Sequence, residues 1–423
     1  MKRILYIGHT FHLKTKSNLF LLDLLKDYDI DMVSMDPHEE LSYASIQSRC
    51  GQHYDVLLCW QVMPSILQIK QYITFDKGVL FPMADFFYAV MPLKDPVWQE
   101  YVEFQIINFC KAVHEELLAA GFSSYYIQYF PKPAETLQWG NPGGVFFWQR
   151  VTHINPHTLF FLLRDMTELN AVHMHYALDP GEEKIEIPRN NFPGKNITES
   201  EWFDTKEKMY AMMDQFGLYM APRYIEGIGM SFLEAMAHGR CVIAPDAPTM
   251  NEYIINGETG FLYERSSEIV PLSIQDLETV RRIQEKTYAY IQRGYAEWQR
   301  KCPEIKAWIE GKGQFDPKKL SQTAERYQWP AFSAPAIIEV SLRQKIKQGI
   351  KRMLRLILSD ICYRQAVRFV RSYLGNGICW IERKTFYILG VPLFSKCYSI
   401  EKEVVRYEFL KMPVLEYRRE FYK

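Results

Sequence analysis

Short β-branched or aromatic runs alternate with helix-period segments along most of this chain, and few folds accommodate that alternation. From residue 1 to about 130 the runs Arg3–Ile7, Ile30–Met35, Val56–Trp60 and Val79–Pro82 read as strands, with a further one near Tyr125–Tyr129. Between them, KSNLFLLDLLKDY and VEFQIINFCKAVHEELLAAG space apolar residues three and four apart, which predicts helices. Such an order argues for a mostly parallel sheet with helices on its faces. The segment Pro131–Gly144, with three prolines and three glycines, breaks the periodicity and reads as a linker. A second alternating unit follows, with strands Val145–Trp148, Ala171–Ala177, Leu218–Arg223, Cys241–Ala244 and Thr259–Tyr263. Its helices are Thr158–Met166, Thr205–Phe216, Ser231–His238 and Met250–Asn256, and residues 274–310 form a long helical stretch. The expected fold class is therefore α/β, two Rossmann-like doubly wound domains facing a cleft. The expected divisions are 1–135, 136–310, an irregular linker at 311–341 and a tail at 342–423.

Charge separates along the same divisions. The 423 residues hold 50 Lys+Arg and 50 Asp+Glu, a net of zero. Residues 1–341 carry 32 basic and 43 acidic side chains, a net of −11, and residues 342–423 carry 18 and 7, a net of +11. Within 342–371 nine Lys/Arg face one acid, beside an apolar stripe of Leu342, Ile346, Ile350, Met353, Leu354, Ile357 and Ile361. That pattern predicts an amphipathic helix lying on an anionic membrane surface, each basic residue contributing about 1 kcal/mol. The competing reading packs the stripe on the acidic body. No nucleic-acid motif accompanies the charge, and no nucleic-acid partner is expected. Farther on, FYILGVPLFSK (386–396) and YEFLKMPVLEYR (407–418) read as two copies of one strand–turn–strand unit, with Pro392 and Pro413 equivalent.

The opening MKRILYIGHTFHLK has only four apolar residues before Gly8, which suits a first strand better than a signal peptide. No run of apolar residues is long enough to span a membrane. The eight cysteines never form a C-x-x-C pair, so reduced thiols in a cytosol are expected, without zinc or iron–sulfur ligation. The acids of DYDID (Asp27, Asp29, Asp31) lie between a helix and a strand and read as a turn, not a metal site.

The chemistry concentrates in Leu218–Glu264. An apolar strand ends at Ile225, Glu226-Gly227-Ile228-Gly229-Met230 follow, and a helix begins at Ser231. Two glycines there let the backbone approach a ligand, and free N–H groups at a helix start favour a phosphate. Glu226 and Glu234 bracket the turn and could accept hydrogen bonds from sugar hydroxyls. Equally, Ser231-x-x-Glu234 has the form of a capping box, with Glu234 bonding the Ser231 backbone. Spacing alone leaves both readings open.

Over about 45 residues this segment resembles the signature of glycosyltransferase family 4, whose members have the GT-B fold. The matching parts are Glu226, Gly227–Gly229, Glu234, Ala235–Gly239, Val242–Ala244, Glu252 and Asn256-Gly257 with Gly260. The resemblance implies that Glu234 holds the donor's ribose and that Glu226 contacts the transferred sugar. It also implies that backbone amides near Gly229, Met230 and Ser231 face the donor's sugar and phosphates. Retention of configuration without a metal, and no cofactor beyond a nucleotide-sugar substrate, are implied as well. Family members carry an Arg and, about five residues on, a Lys that neutralise the diphosphate. Here the Arg is Arg150, and Asn155 stands in the Lys position. The family's first-domain His has its counterpart at Asp85 in FPMADFF, an acceptor-side contact or a helix N-cap. Leu-Gly-x-Pro-Leu segments like 389–393 resemble tails of bacterial surface-polysaccharide glycosyltransferases. The implied activity is sugar transfer to a lipid-linked or polysaccharide acceptor at the inner face of the cytoplasmic membrane. The alternative is a non-catalytic sugar-nucleotide-binding or scaffold protein, which the absent Lys keeps open.

Overall fold

The computed structural model describes residues 1–35, 43–265, 269–311 and 313–330, together with the backbone of four strands between 384 and 418. The basic helix expected at 342–371 lies outside the described residues. Residues Met1–Ala334 form one compact unit and Pro335–Lys423 a second.

The first unit holds two six-stranded parallel sheets. In the first, β1 (Arg3–His9), β2 (Asp29–Met35), β3 (His53–Trp60), β4 (Thr74–Phe81), β5 (Gln105–Asn108) and β6 (Ser123–Tyr126) lie in the order β2-β1-β3-β4-β5-β6. In the second, β7 (Asn141–Gln149), β8 (Ala171–Tyr176), β9 (Asn196–Ser200), β10 (Phe216–Met220), β11 (Cys241–Pro245) and β12 (Gly260–Tyr263) lie in the order β12-β11-β10-β7-β8-β9. Inner strands are buried on both faces and therefore read as continuous apolar runs: Ile4 to Ile7 in β1 and Val145 to Phe147 in β7 are all buried. These are the two doubly wound Rossmann-like lobes expected from the alternation.

Two strands carry no such signature. β5 is fully buried, but its QIIN merges with the apolar spacing of the following helix, so the expected helix starting near 102 is a strand and then the helix Lys111–Ala119. β9 is an exposed edge strand, NITES, with no apolar run to announce it. The linker expected at 311–341 also needs correction. It contains the helix Pro317–Arg326, capped by Asp316 and docked on the first lobe. There Thr323 Oγ1 donates to Ala120 O at 3.0 Å, and the Trp329 indole N–H donates to Leu93 O at 3.1 Å. Apolar contacts at Leu320 and Trp329 hold the segment down where composition suggested a loose connector.

The helix Leu277–Glu310 joins the lobes. Val280 and Ile283 enter the second lobe's core, whereas Ile291, Trp298, Ile305 and Ile309 pack in the core that includes the first lobe. A second clasp lies at Glu252. Its carboxylate accepts the Lys111 backbone N–H at 2.7 and 2.8 Å and the Tyr126 hydroxyl at 2.9 Å, and so caps a helix of the opposite lobe. Its main-chain oxygen accepts the Gln128 amide at 2.8 Å, and the neighbouring Tyr253 hydroxyl accepts the Tyr129 N–H at 3.0 Å. Burial, with the Glu252 charge beside it, pushes the Cys110 thiol up to about 12.

In the second unit β13 (Lys384–Ile388), β14 (Val391–Ser399), β15 (Val404–Phe409) and β16 (Met412–Arg418) form an antiparallel meander. Its two outer hairpins pair in the same register. Ile388 faces Val391 and Tyr387 faces Pro392; Phe409 faces Met412 and Glu408 faces Pro413. Each register shifts at the residue pair opposite the proline, as expected where a strand residue has no N–H to give.

Glu252→Ala should destabilise the unit by about 1–3 kcal/mol, because it leaves the opposite helix's N–H groups without their charged acceptor. Thermal unfolding measures this, and Glu252→Gln should lose less than Glu252→Ala.

Candidate active site

The strand order of the second sheet reverses between β7 and β10, which opens a crevice at their carboxyl ends. Each of these two strands delivers an arginine just past its end: Arg150 after β7 and Arg223 after β10. Both guanidinium groups meet Asp179, on the loop after β8. Arg150 donates to Asp179 Oδ1 from Nη2 at 2.8 Å and from Nε at 3.2 Å, and Arg223 Nη2 pairs with Asp179 Oδ2. The loop itself is laced to the strand end. Asp179 N–H donates to Arg150 O at 2.9 Å, and Glu182 accepts the Thr152 N–H and hydroxyl, each at 2.8 Å. The Trp148 ring lies 5.2 Å from the Arg150 guanidinium, a cation–π contact.

The first lobe closes the other side. Asp85 sits 3.7 Å from Arg223 Nη1 and accepts both Gln61 amide bonds at 3.1 Å. It also accepts the Phe86 N–H at 2.9 Å, yet it is not an N-cap; Met83 holds that position. Gln61 and Met83 are non-glycine residues at φ 55° and 60°, just beyond β3 and β4. Strain of this kind persists where surrounding structure fixes it, commonly at ligand-facing sites.

Glu226 lies inside this charge cluster. Its side chain is buried and Oε1 has no hydrogen-bond partner. Burial raises its pKa, opposed by Arg223 and Arg150 and assisted by Asp85 and Asp179. Burial likewise raises that of Asp85, opposed chiefly by Arg223. At Arg223 burial works against the charge, but Glu226, Asp179 and Asp85 together outweigh it and raise the guanidinium's pKa.

Beyond Glu226 the glycines are required by geometry. A Cβ on Gly227 would stand 2.8 Å from Asp85 Oδ1, so this glycine lets the lobes touch. Gly229 has φ 82°, and a Cβ there would stand 1.9 Å from the Phe232 ring. Gly229 caps the helix Met230–Ala237 with no side-chain bond, so the amides of its first turn lack a side-chain acceptor there. The capping-box reading therefore fails. Glu234 instead takes the Lys206 ammonium at 2.6 Å, close to Tyr210, whose phenol is pushed up by burial and by Glu234. Ser231 lies beside the buried Tyr219 hydroxyl.

The position five residues after Arg150, where a Lys was expected, is occupied by Asn155. Asn155 caps the helix Pro156–Leu163, accepting the His157 N–H at 2.9 Å, with Thr158 completing a capping box. The structure thus brings Arg150, Glu226, Asp85 and Gly229–Ser231 to one crevice and places Glu234 nearby in an ion pair.

Residues 144–272 match the family of glycosyl transferases group 1. The matched segment is the second lobe, running from β7 past β12. Among solved structures, sucrose-phosphate synthase from Thermosynechococcus elongatus superposes with a TM-score of 0.53 at 13% identity, over 72% of this chain and 98% of that one. The lipopolysaccharide outer core galactosyltransferase WaaB gives 0.51 at 14% identity, over 73% and 99%. Anabaena HepE in complex with UDP gives 0.50 at 11%, over 73% and 100%. No curated protein matches the sequence. The fold is GT-B and the chain is a glycosyltransferase.

Arg223, Asp179, Lys206 and Gln61 were not singled out from the sequence of this glycosyltransferase. Arg223 offered the one usable signal, a charged residue closing an apolar strand as Arg150 does. The others meet the crevice only through the topology.

A buried carboxyl with a raised pKa holds its proton to higher pH when folded than when unfolded. Its ionisation therefore costs stability as pH rises from the ordinary carboxylate range. Glu226→Gln should accordingly melt higher than the wild type near pH 7.5. The difference should shrink toward pH 4, which fluorimetric melts across pH would show.

Proposed function

We propose that this glycosyltransferase moves a sugar from a nucleotide-sugar donor to a lipid-linked or polysaccharide acceptor of the bacterial envelope, with retention and without a metal. The observation that carries the donor reading is the buried, unpartnered Glu226 Oε1 beside two arginines at the sheet's switch point. A buried carboxylate oxygen without a donor is costly, and a sugar hydroxyl would satisfy it. The amides of Met230 and Ser231, at the positive end of their helix, would face the donor's sugar and phosphates. Glu234 would exchange Lys206 for the ribose hydroxyls.

In the reaction the bond from the anomeric carbon to the diphosphate breaks and its electron pair leaves with the diphosphate. The acceptor oxygen bonds to the same face of the anomeric carbon, and its proton passes to the departing phosphate. Arg150 would stabilise the charge that develops there, which supports metal independence. Retention rests on the motif's resemblance alone. Asp85 and Gln61 of the first lobe stand on the side from which an acceptor would enter.

The envelope assignment is supported by the basic tail and by the lipopolysaccharide acceptor of the fold relative WaaB. Residues 342–371 would hold the enzyme to anionic lipid at the inner membrane face.

A panel of nucleotide-sugars, assayed for nucleoside diphosphate release with bacterial lipid extracts as acceptor and with chelator present, tests the reading. Release is expected for at least one donor, falling roughly a hundredfold or more in Glu226→Ala. Binding without turnover across the panel would favour the non-catalytic alternative. Glu234→Ala should weaken binding of the accepted nucleotide about tenfold, read by calorimetry. The full chain should sediment with vesicles containing phosphatidylglycerol and lose that binding as salt rises. Sedimentation indifferent to anionic lipid would overturn the membrane proposal.

A further inference from the structure

We infer that Arg223 supplies the second positive charge for the donor's diphosphate, the charge that Asn155 cannot supply. The inference rests on the donor reading above. Arg150 and Arg223 come from adjacent strands, β7 and β10, on the two sides of the crevice. They are joined by one carboxylate, with Asp179 Oδ1 on Arg150 and Oδ2 on Arg223. Two forks that share the two oxygens of one carboxylate are already spaced for a tetrahedral oxyanion of similar reach. Asp179 thus acts as the internal counter-anion of the two arginines.

Three further observations place Arg223 toward ligand. The unpartnered Glu226 Oε1 sits in the same cluster, so the cluster is incomplete without a guest. Arg223 also reaches Asp85 across the lobe boundary at 3.7 Å, too long for a strong bond, which leaves Nη1 able to turn to a phosphate. The surroundings keep Arg223 charged despite burial. Asn155, by contrast, is committed to capping a helix, where a lysine would lose the cap. In the bound state Arg150 and Arg223 would each donate to the β-phosphate oxygens. They would bind most strongly as the sugar departs and negative charge builds on that phosphate.

Calorimetry on the full chain with UDP, GDP and ADP, each paired with its monophosphate, tests the assignment. Arg223→Ala should weaken the accepted diphosphate about ten- to a hundredfold and its monophosphate less than about threefold. Turnover should fall in kcat more than KM rises. Should Arg223→Ala not fold, as judged by its circular dichroism, Arg223→Lys reads the same ratio with a smaller loss. Equal losses for diphosphate and monophosphate, or no loss for either, would overturn the role of Arg223 while leaving the donor reading intact. A wild type that binds no nucleoside diphosphate would overturn both.

Discussion

Two guanidinium groups on neighbouring strand ends repel each other unless an anion lies between them. Asp179 is that anion, and the architecture of the crevice follows from it. Its loop is tied to the end of β7 by main-chain and side-chain bonds, so the carboxylate stands fixed where both arginines can reach it. From there the charge balance extends outward to Glu226, whose Oε1 has no hydrogen-bond partner, and to Asp85 from the opposite lobe. Three acids against two bases would be a poor receptor for an anion if all were ionised. Burial raises the pKa of two of the three, Asp85 and Glu226, and so works against that excess of negative charge.

The lobes are joined on both sides of that cluster by interactions of different kinds. At the crevice the contact is thin: Gly227 against Asp85 and Met83, with a single long ion pair. Away from it the contacts are strong. Glu252 caps a helix of the first lobe, and the Leu277–Glu310 helix inserts apolar residues in both cores. The strong joins between the lobes thus lie away from the crevice.

Much of this was legible in sequence because inner parallel strands announce themselves as apolar runs, and ten of the twelve strands do. The two that escaped show what periodicity cannot see. β5 hid inside a helix's apolar spacing, and β9 is an edge with nothing to bury. The glycine turn and its glutamates were readable because their spacing is local. Spacing could not choose between a capping box and a ligand site, because Lys206, which engages Glu234, lies 28 residues upstream. Asp179 and Gln61 were silent for the same reason. Sheet order alone brings them to the crevice.

The placement of Arg223 has a backbone cause. Asn155 followed by Pro156 is a helix start, with the proline at the first helical position and the asparagine side chain turned back on the N–H groups it caps. A residue committed in this way cannot also present a charge to the crevice. β10 ends next to β7, so a residue just past its end is the nearest alternative position. An arginine suits it better than a lysine. The planar fork can hold Asp179 with one nitrogen and face Asp85 with another, whereas an ammonium would act as a single strongly hydrated point charge. Loss of a cation at one strand end is thus offset at the other, within the same crevice and through the same carboxylate.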